Sequence, residues 1–247
     1  MRIALRTFLF VASSSICLLA GDLTITFKTS SKGLMGSTTE GLQISYYSTT
    51  FHKEVNEASK TDTLVDYEKG VIYTIKHKDK KIEMMTFEDL AALADATAKR
   101  LEKMPDFMKN MMGGGDQGEM QVEQTGTDTV AGRPCKKFKL TMGKMLDELS
   151  VDPSLKPPMN PAAYAKFMKL RANGIPGASG TTMKKLYEEL GKLKGIPLRT
   201  HLSGLMGMDS STEATEVKTS EIPASVFTLP TDYKTEDQGK KLLKNMK

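Results

Sequence analysis

The chain has 247 residues, with 35 Lys and Arg against 30 Asp and Glu, a formal net charge of +5, no Trp and 6% aromatic residues. A mild positive balance, with no basic stripe interleaved with stacking residues, gives no support to nucleic-acid binding. The two cysteines, Cys17 and Cys135, fall on either side of a predicted leader cleavage, so an exported chain has no internal disulfide and must be held by packing.

Arg2 and Arg6 precede an apolar stretch at residues 8–19, which ends in Ala20, Gly21 and Asp22. This is the form of a secretory signal peptide, residues 1–20, cleaved near Ala20, and it predicts a periplasmic or secreted protein. Lipidation would fall on Cys17, but a lipoprotein leader carries a small residue before its cysteine and Ile16 is bulky. No later segment reaches the roughly 18 to 20 consecutive apolar residues of a membrane helix, so no transmembrane span is expected.

Residues 22–86 read as strands of period two. Leu23, Ile25 and Phe27 alternate with Thr24, Thr26 and Lys28, and Leu42, Ile44 and Tyr46 alternate with Gln43, Ser45 and Tyr47. Val55 lies in a weaker strand and Leu64, Val65 and Tyr67 in another. Glu68-Lys69-Gly70 turns into Val71, Tyr73 and Ile75, and Lys78-Asp79 turns into Ile82 and Met84, which makes an antiparallel meander. At Thr86 the period changes. Thr86 and Asp89 resemble a capping box, and Leu90, Leu93, Ala94, Leu101, Met104, Met108 and Met111 recur at helical spacing, with Pro105 to kink the helix and Gly113 to Gly115 to end it.

Met120 and Val122 resume the strand pattern, and a turn at Ala131-Gly132 leads to Phe138, Leu140 and Met142. A helical insertion is expected over residues 146–195. Its first helix has Asn160 as N-cap and Pro161 at the first position, and its second carries Met183, Leu186, Tyr187, Leu190 and Leu193 on one face. Residues 174–180 read as the loop between them, and Gly195 as a stop. Ile196 and Leu198, then Val217, then Val226 and Phe227 supply closing strands. The polar, lysine-rich tail at 231–247 is expected to fray. The whole predicts one α+β domain over 21–230 with a mostly antiparallel sheet.

Four stretches, 25–46 with its Gly-Leu-Met-Gly turn, 64–87 with Asp-Tyr-x-x-Gly-x-x-Tyr, 130–140 and 195–202, resemble a group of exported bacterial proteins known as domain of unknown function 4412. Gly132-x-x-Cys135-x-x-Phe138 is the nearest match. That group is in turn similar to the LolA and LolB type of periplasmic lipoprotein carrier. The resemblance implies a strongly curved antiparallel sheet, a half-barrel whose apolar concave face is covered by helices. It places no functional residue of the carriers on this chain, and the helical insertion departs from the minimal pattern.

The residues themselves offer a candidate hydrophobic lining: Met35, Met84, Leu101, Met104, Met108 and Met111. Unbranched, polarizable side chains adapt to acyl chains, and they equally serve as plain core. Cys135, beside Arg133, Lys136 and Lys137, is a reactive thiol, a small buried residue at a strand start or a cross-link to another chain. His52, His77 and His201 are far apart and show no metal-ligand convergence. The second insertion helix, with Lys184, Lys185, Lys192 and Lys194, can rest on an anionic membrane surface or present a solvated face. No catalytic, cofactor or metal motif is present. The expected function is therefore a non-enzymatic exported protein that holds a lipid, acyl chain or lipoprotein. The alternative is an envelope interaction module docking through a sheet edge or the insertion, and third is an enzyme using Cys135 or His201.

Overall fold

A computed structural model describes residues 21–32, 37–103, 105, 119–173, 185, 188–205 and 208–246. The leader, Met35, Met104, Met108, Met111 and the expected loop at 174–180 lie outside them.

The period-two segments form β1 (Leu23–Lys32), β2 (Thr38–Tyr47), β3 (Phe51–Asn56), β4 (Thr61–Asp66), β5 (Val71–Lys76) and β6 (Lys81–Thr86). Gly70, with φ at +62°, makes the expected turn after β4. At Thr86 the capping box closes reciprocally. The Asp89 N–H donates to Thr86 Oγ1 at 3.0 Å and the Thr86 N–H donates to Asp89 Oδ2 at 3.1 Å, which starts α1 (Phe87–Glu102).

A second meander follows: β7 (Gln121–Val130), β8 (Arg133–Met142), β9 (Met145–Asp152), β10 (Ile196–Leu205) and β11 (Met208–Thr219). Between β9 and β10 lies α2 (Pro161–Asn173), capped by Asn160 Oδ1, which accepts from the Ala162 and Ala163 N–H groups at 2.9 and 3.2 Å. Residues 188–192 are helical too. A 3₁₀ turn (Ala224–Phe227), β12 (Lys234–Asp237) and α3 (Gln238–Asn245) complete the chain.

All twelve strands share one sheet in the order β12-β6-β5-β4-β3-β2-β1-β11-β10-β9-β8-β7. Every pairing is antiparallel except β12 with β6. The sheet is open and not strongly curled, which corrects the half-barrel that the carriers imply. Register shifts, which bend strands, occur only in pairings that involve β7, β10 or β11. The ladders from β1 through β6 run without one.

Four further expectations are corrected. The segment from Leu146 to Asp152 belongs to β9 rather than to the insertion. Its alternation of Met145, Leu149 and Val151 was disguised by Asp147 at an inward position. In β2 the side facing with Leu23 and Ile25 is Tyr47 and Ser45, not Tyr46 and Ile44, and Leu42 is 39% exposed. Val226 and Phe227 form the 3₁₀ turn rather than a strand. The tail after Pro230 is ordered: Lys81 pairs with Glu236 at 2.9 Å across the parallel edge, and Asp237 caps α3 by accepting the Lys240 N–H at 2.9 Å. α3 then packs against α1, where Gly239 leaves room for Asp89.

Gly195 ends the excursion between β9 and β10 with φ at +116°, and a Cβ there would run into the Asp152 carbonyl. Gly195→Ala is expected to cost about 3 kcal/mol and lower Tm by roughly 6 °C or more. Gly191→Ala, in an open helical position, should be neutral or stabilising by up to about 1 kcal/mol. Thermal denaturation of the two variants checks the contrast.

Candidate functional site

Between Asp152 and Ile196 the described residues lie outside the sheet, and those of this excursion that pack on it cover a single face. Leu155 packs in the central cluster with Leu23, Ile25, Phe27 and Leu198. Met159 and Phe167 close a second cluster with Val65, Tyr67 and Phe87 at the β4–β6 end, assisted by Tyr164 and Leu170. Leu190 and Leu193 lie on a third, formed by Leu140, Met142, Met145, Leu149 and Val151 from β8 and β9. Each large side chain so buried contributes on the order of 2 kcal/mol.

The excursion is clamped at its base. Asp152 is fully buried and accepts from the Arg133 guanidinium, the Ser154 N–H at 2.8 Å and the Ser154 hydroxyl at 2.6 Å. Burial pushes this carboxyl up, and the Ser154 and Arg133 donors outweigh it and hold the group below its ordinary range.

Of the expected hydrophobic lining, Met84 and Leu101 lie among the described residues. Met84 is in register with Tyr73 and hence Leu64, on the face away from the excursion, whereas its neighbour Met85 is in register with Ile72 and Val65 on the covered face. Leu101 lies in α1.

The residue that sequence reasoning missed is Asp147. Cross-strand register sets it on the covered face, directly between Leu140 of β8 and Leu202 of β10. It is only 4% exposed, and its Oδ1 has no hydrogen-bond partner among the described residues. Burial pushes its carboxyl up to about 7, with His201 pulling it down and Glu148 pushing it up. The available signal was the spacing Met145-x-Asp147-x-Leu149-x-Val151, which puts an acid on an apolar side.

On the opposite face Leu64, Ile75 and Ile82 form an apolar cluster of their own, packed against Phe227, Leu229 and Tyr233, whereas the β9–β11 part is polar. Arg199 bridges Asp128 and Glu213, and the Ser150 hydroxyl together with Arg199 holds Asp128 below the usual carboxylate range. His201 Nε2 lies 3.2 Å from Asp209 and its Nδ1 3.8 Å from Glu148. His77 Nε2 lies 3.1 Å from buried Asp62 and its Nδ1 3.0 Å from the Tyr233 hydroxyl, which fastens the C-terminal segment to the sheet. His52 is buried and stacked on Tyr47. Among the described residues, no group of three or more His, Cys, Asp or Glu could hold a metal ion. Cys135 is buried and free, and burial pushes its thiol up, so the basic neighbours do not activate it. Lys192 of the insertion pairs with Glu189. No helix among the described residues is long and apolar enough to cross a membrane.

Residues 38–233 match the family described as "Domain of unknown function (DUF4412)". The chain belongs to that family. The DUF4412 match runs from the start of β2 to Tyr233, so β1, β12 and α3 flank it. No curated protein matches the chain. Among solved structures it is similar to an uncharacterized conserved protein from Thermus thermophilus, at 10% identity over 89% of this chain and 91% of that one, with a TM-score of 0.46. It is also similar to MucB of Pseudomonas aeruginosa, at 12% identity and a TM-score of 0.44, over 87% of this chain. The chain spans only 59% of MucB. A third likeness is to the LolA superfamily protein NE2245 from Nitrosomonas europaea, at 9% identity over 85% of this chain and 91% of that one, with a TM-score of 0.34.

Asp147 gives this DUF4412 domain a defined pH dependence. Its pKa is raised from 3.8 to about 7, so the folded chain keeps a proton that the unfolded chain has lost in that interval. The stability it contributes is therefore complete below about pH 4 and is lost as pH rises through 7. Asp147→Asn removes that slope, and the stability difference between variant and parent should move by on the order of 4 kcal/mol in the variant's favour from pH 4 to pH 8. Urea denaturation at both pH values measures it; parallel slopes in the two proteins would show that Asp147 does not titrate in this way.

Proposed function

We propose that the protein is an exported, periplasmic or secreted, non-enzymatic binding protein that holds a hydrophobic ligand between the sheet and the β9–β10 excursion. The ligand class is a lipid, an acyl chain or the acyl portion of a lipoprotein. The observation that carries this reading is that the described residues of the connection between Asp152 and Ile196 pack on three apolar clusters on a single face. A cover of that kind can exchange its contacts for those of a ligand while the twelve-stranded ladder stays paired.

The energies suffice without catalytic groups. Burying about ten methylenes of an acyl chain contributes on the order of 8 kcal/mol before ordering costs, which allows binding up to the micromolar range. One observation favours a second reading, an envelope interaction module. β7 is an edge strand of ten residues, mostly exposed, whose outer side pairs with no other strand of the sheet.

Native mass spectrometry of the protein, purified gently from its own host and followed by organic extraction, tests the proposal. A stoichiometric adduct that extracts as lipid is the expected result. An apo mass together with no fluorescence enhancement of N-phenyl-1-naphthylamine by the purified protein would overturn it, and co-purification of a protein lost on Thr127→Pro in β7 would favour the second reading.

A further inference from the structure

Resting on the ligand-binding reading above, we propose that Asp147 is the polar anchor of the covered face and that the ligand it receives carries a primary ammonium at the end of an alkyl or acyl chain. The geometry leads to this class in three steps.

First, the described residues around the acid on its face of the sheet are apolar. Its cross-strand neighbours are Leu140 and Leu202, its same-face neighbours along β9 are Met145 and Leu149, and the cluster they form is covered by Leu190 and Leu193. A carboxyl placed there costs stability that a leucine would not. Buried polar atoms without partners are rare in folded proteins, and a strand position flanked by apolar residues offers no packing reason for one.

Second, what Asp147 lacks is a hydrogen-bond donor. Oδ1 receives none among the described residues, and the charged groups that act on the carboxyl are His201 and Glu148. Both are displaced by one position from Asp147 in the ladder, so their side chains leave the sheet on the other face. The contrast with Asp152, five residues along the same strand, is direct: that carboxylate is equally buried and has its donors from Arg133 and Ser154. The strand therefore carries one acid supplied by the protein's own groups and one left for a group from outside.

Third, the chemistry of the missing partner is narrow. Against the ionised Asp147, a carboxylate or phosphate end would bring like charge. A quaternary ammonium has the charge and no N–H. A primary ammonium brings both, and its chain continues into the apolar cluster. A charge-assisted hydrogen bond of this kind is worth at least about tenfold in affinity. The same ammonium can belong to a free alkylamine or to the head of an aminolipid.

Isothermal titration of the full chain with dodecylamine and with dodecyltrimethylammonium, each below its micellar concentration, tests the anchor. Dodecylamine is expected to bind at least about tenfold more tightly, and Asp147→Leu to erase that ratio while leaving dodecyltrimethylammonium binding in place. Lysophosphatidylethanolamine against lysophosphatidylcholine repeats the comparison on a lipid: the same ratio there assigns the ammonium to an aminolipid head, and its presence with dodecylamine alone assigns it to a free alkylamine. Equal affinities for the two dodecyl cations in the parent protein would overturn the anchor and leave the hydrophobic-ligand reading standing. Failure to bind any of the four would overturn both. Should Asp147→Leu not fold, the ratio measured on the parent decides the question by itself.

Discussion

The architecture depends on one antiparallel pairing, β1 with β11. Without it the chain would make two separate blocks, the meander from β1 to β6 and the meander from β7 to β11. With it the two become a single twelve-stranded sheet. The seam runs from Leu23 opposite Thr219 to Lys32 opposite Asp209, and its buried side carries Leu23, Ile25, Phe27 and Ala214. These contacts join residues near the two ends of the described chain, so loop-closure entropy opposes them until both meanders have formed. Apolar burial along the seam has to outweigh that entropy, and the most completely buried side chain of β1, Ile25, lies on it, opposite Val217.

Uniting the meanders creates a wide apolar face, and one connection covers it. The excursion between β9 and β10 starts from a base in which Arg133, Ser154 and Gly195 all converge on Asp152. Fixing the base while spreading the cover in separate patches, Leu155, then Met159 and Phe167, then Leu190 and Leu193, divides the burial energy among local contacts. A cover attached in this way can lose one patch without losing the others. Asp147 sits under the last patch and opposes stability there, the kind of local inconsistency that proteins keep where function needs it.

Much of the fold was legible because its local signals are strong. The Thr86–Asp89 box, the Asn160-Pro161 start, the turns at Gly70 and Ala131-Gly132 and the alternation in β1 each rest on chemistry that acts within a few residues. The tail was misread for the complementary reason. Its lysines have no local reason to order, and they do so only because Glu236 meets Lys81, Tyr233 meets His77, and α3 finds α1. Of the candidate site, the strand spacing that holds Asp147 was present in the chain, but an acid at position 147 reads as solvent-facing until its cross-strand partners are known to be Leu140 and Leu202.

By itself, then, the sequence determined where strands, turns and caps fall, since alternation, positive-φ glycines and capping side chains act over a few bonds. Tertiary structure alone decided which side of each strand is the buried one. Alternation says that the two sides of β2 differ, and pairing with β1 puts Ser45 and Tyr47 on the covered side; adjacent methionines in β6 are equivalent on paper, and register with Tyr73 and Ile72 sends Met84 to one face and Met85 to the other. A one-residue change in register exchanges every side chain between faces, and register is settled by partners distant in sequence, so the side on which a ligand could lie emerged only with the assembled sheet.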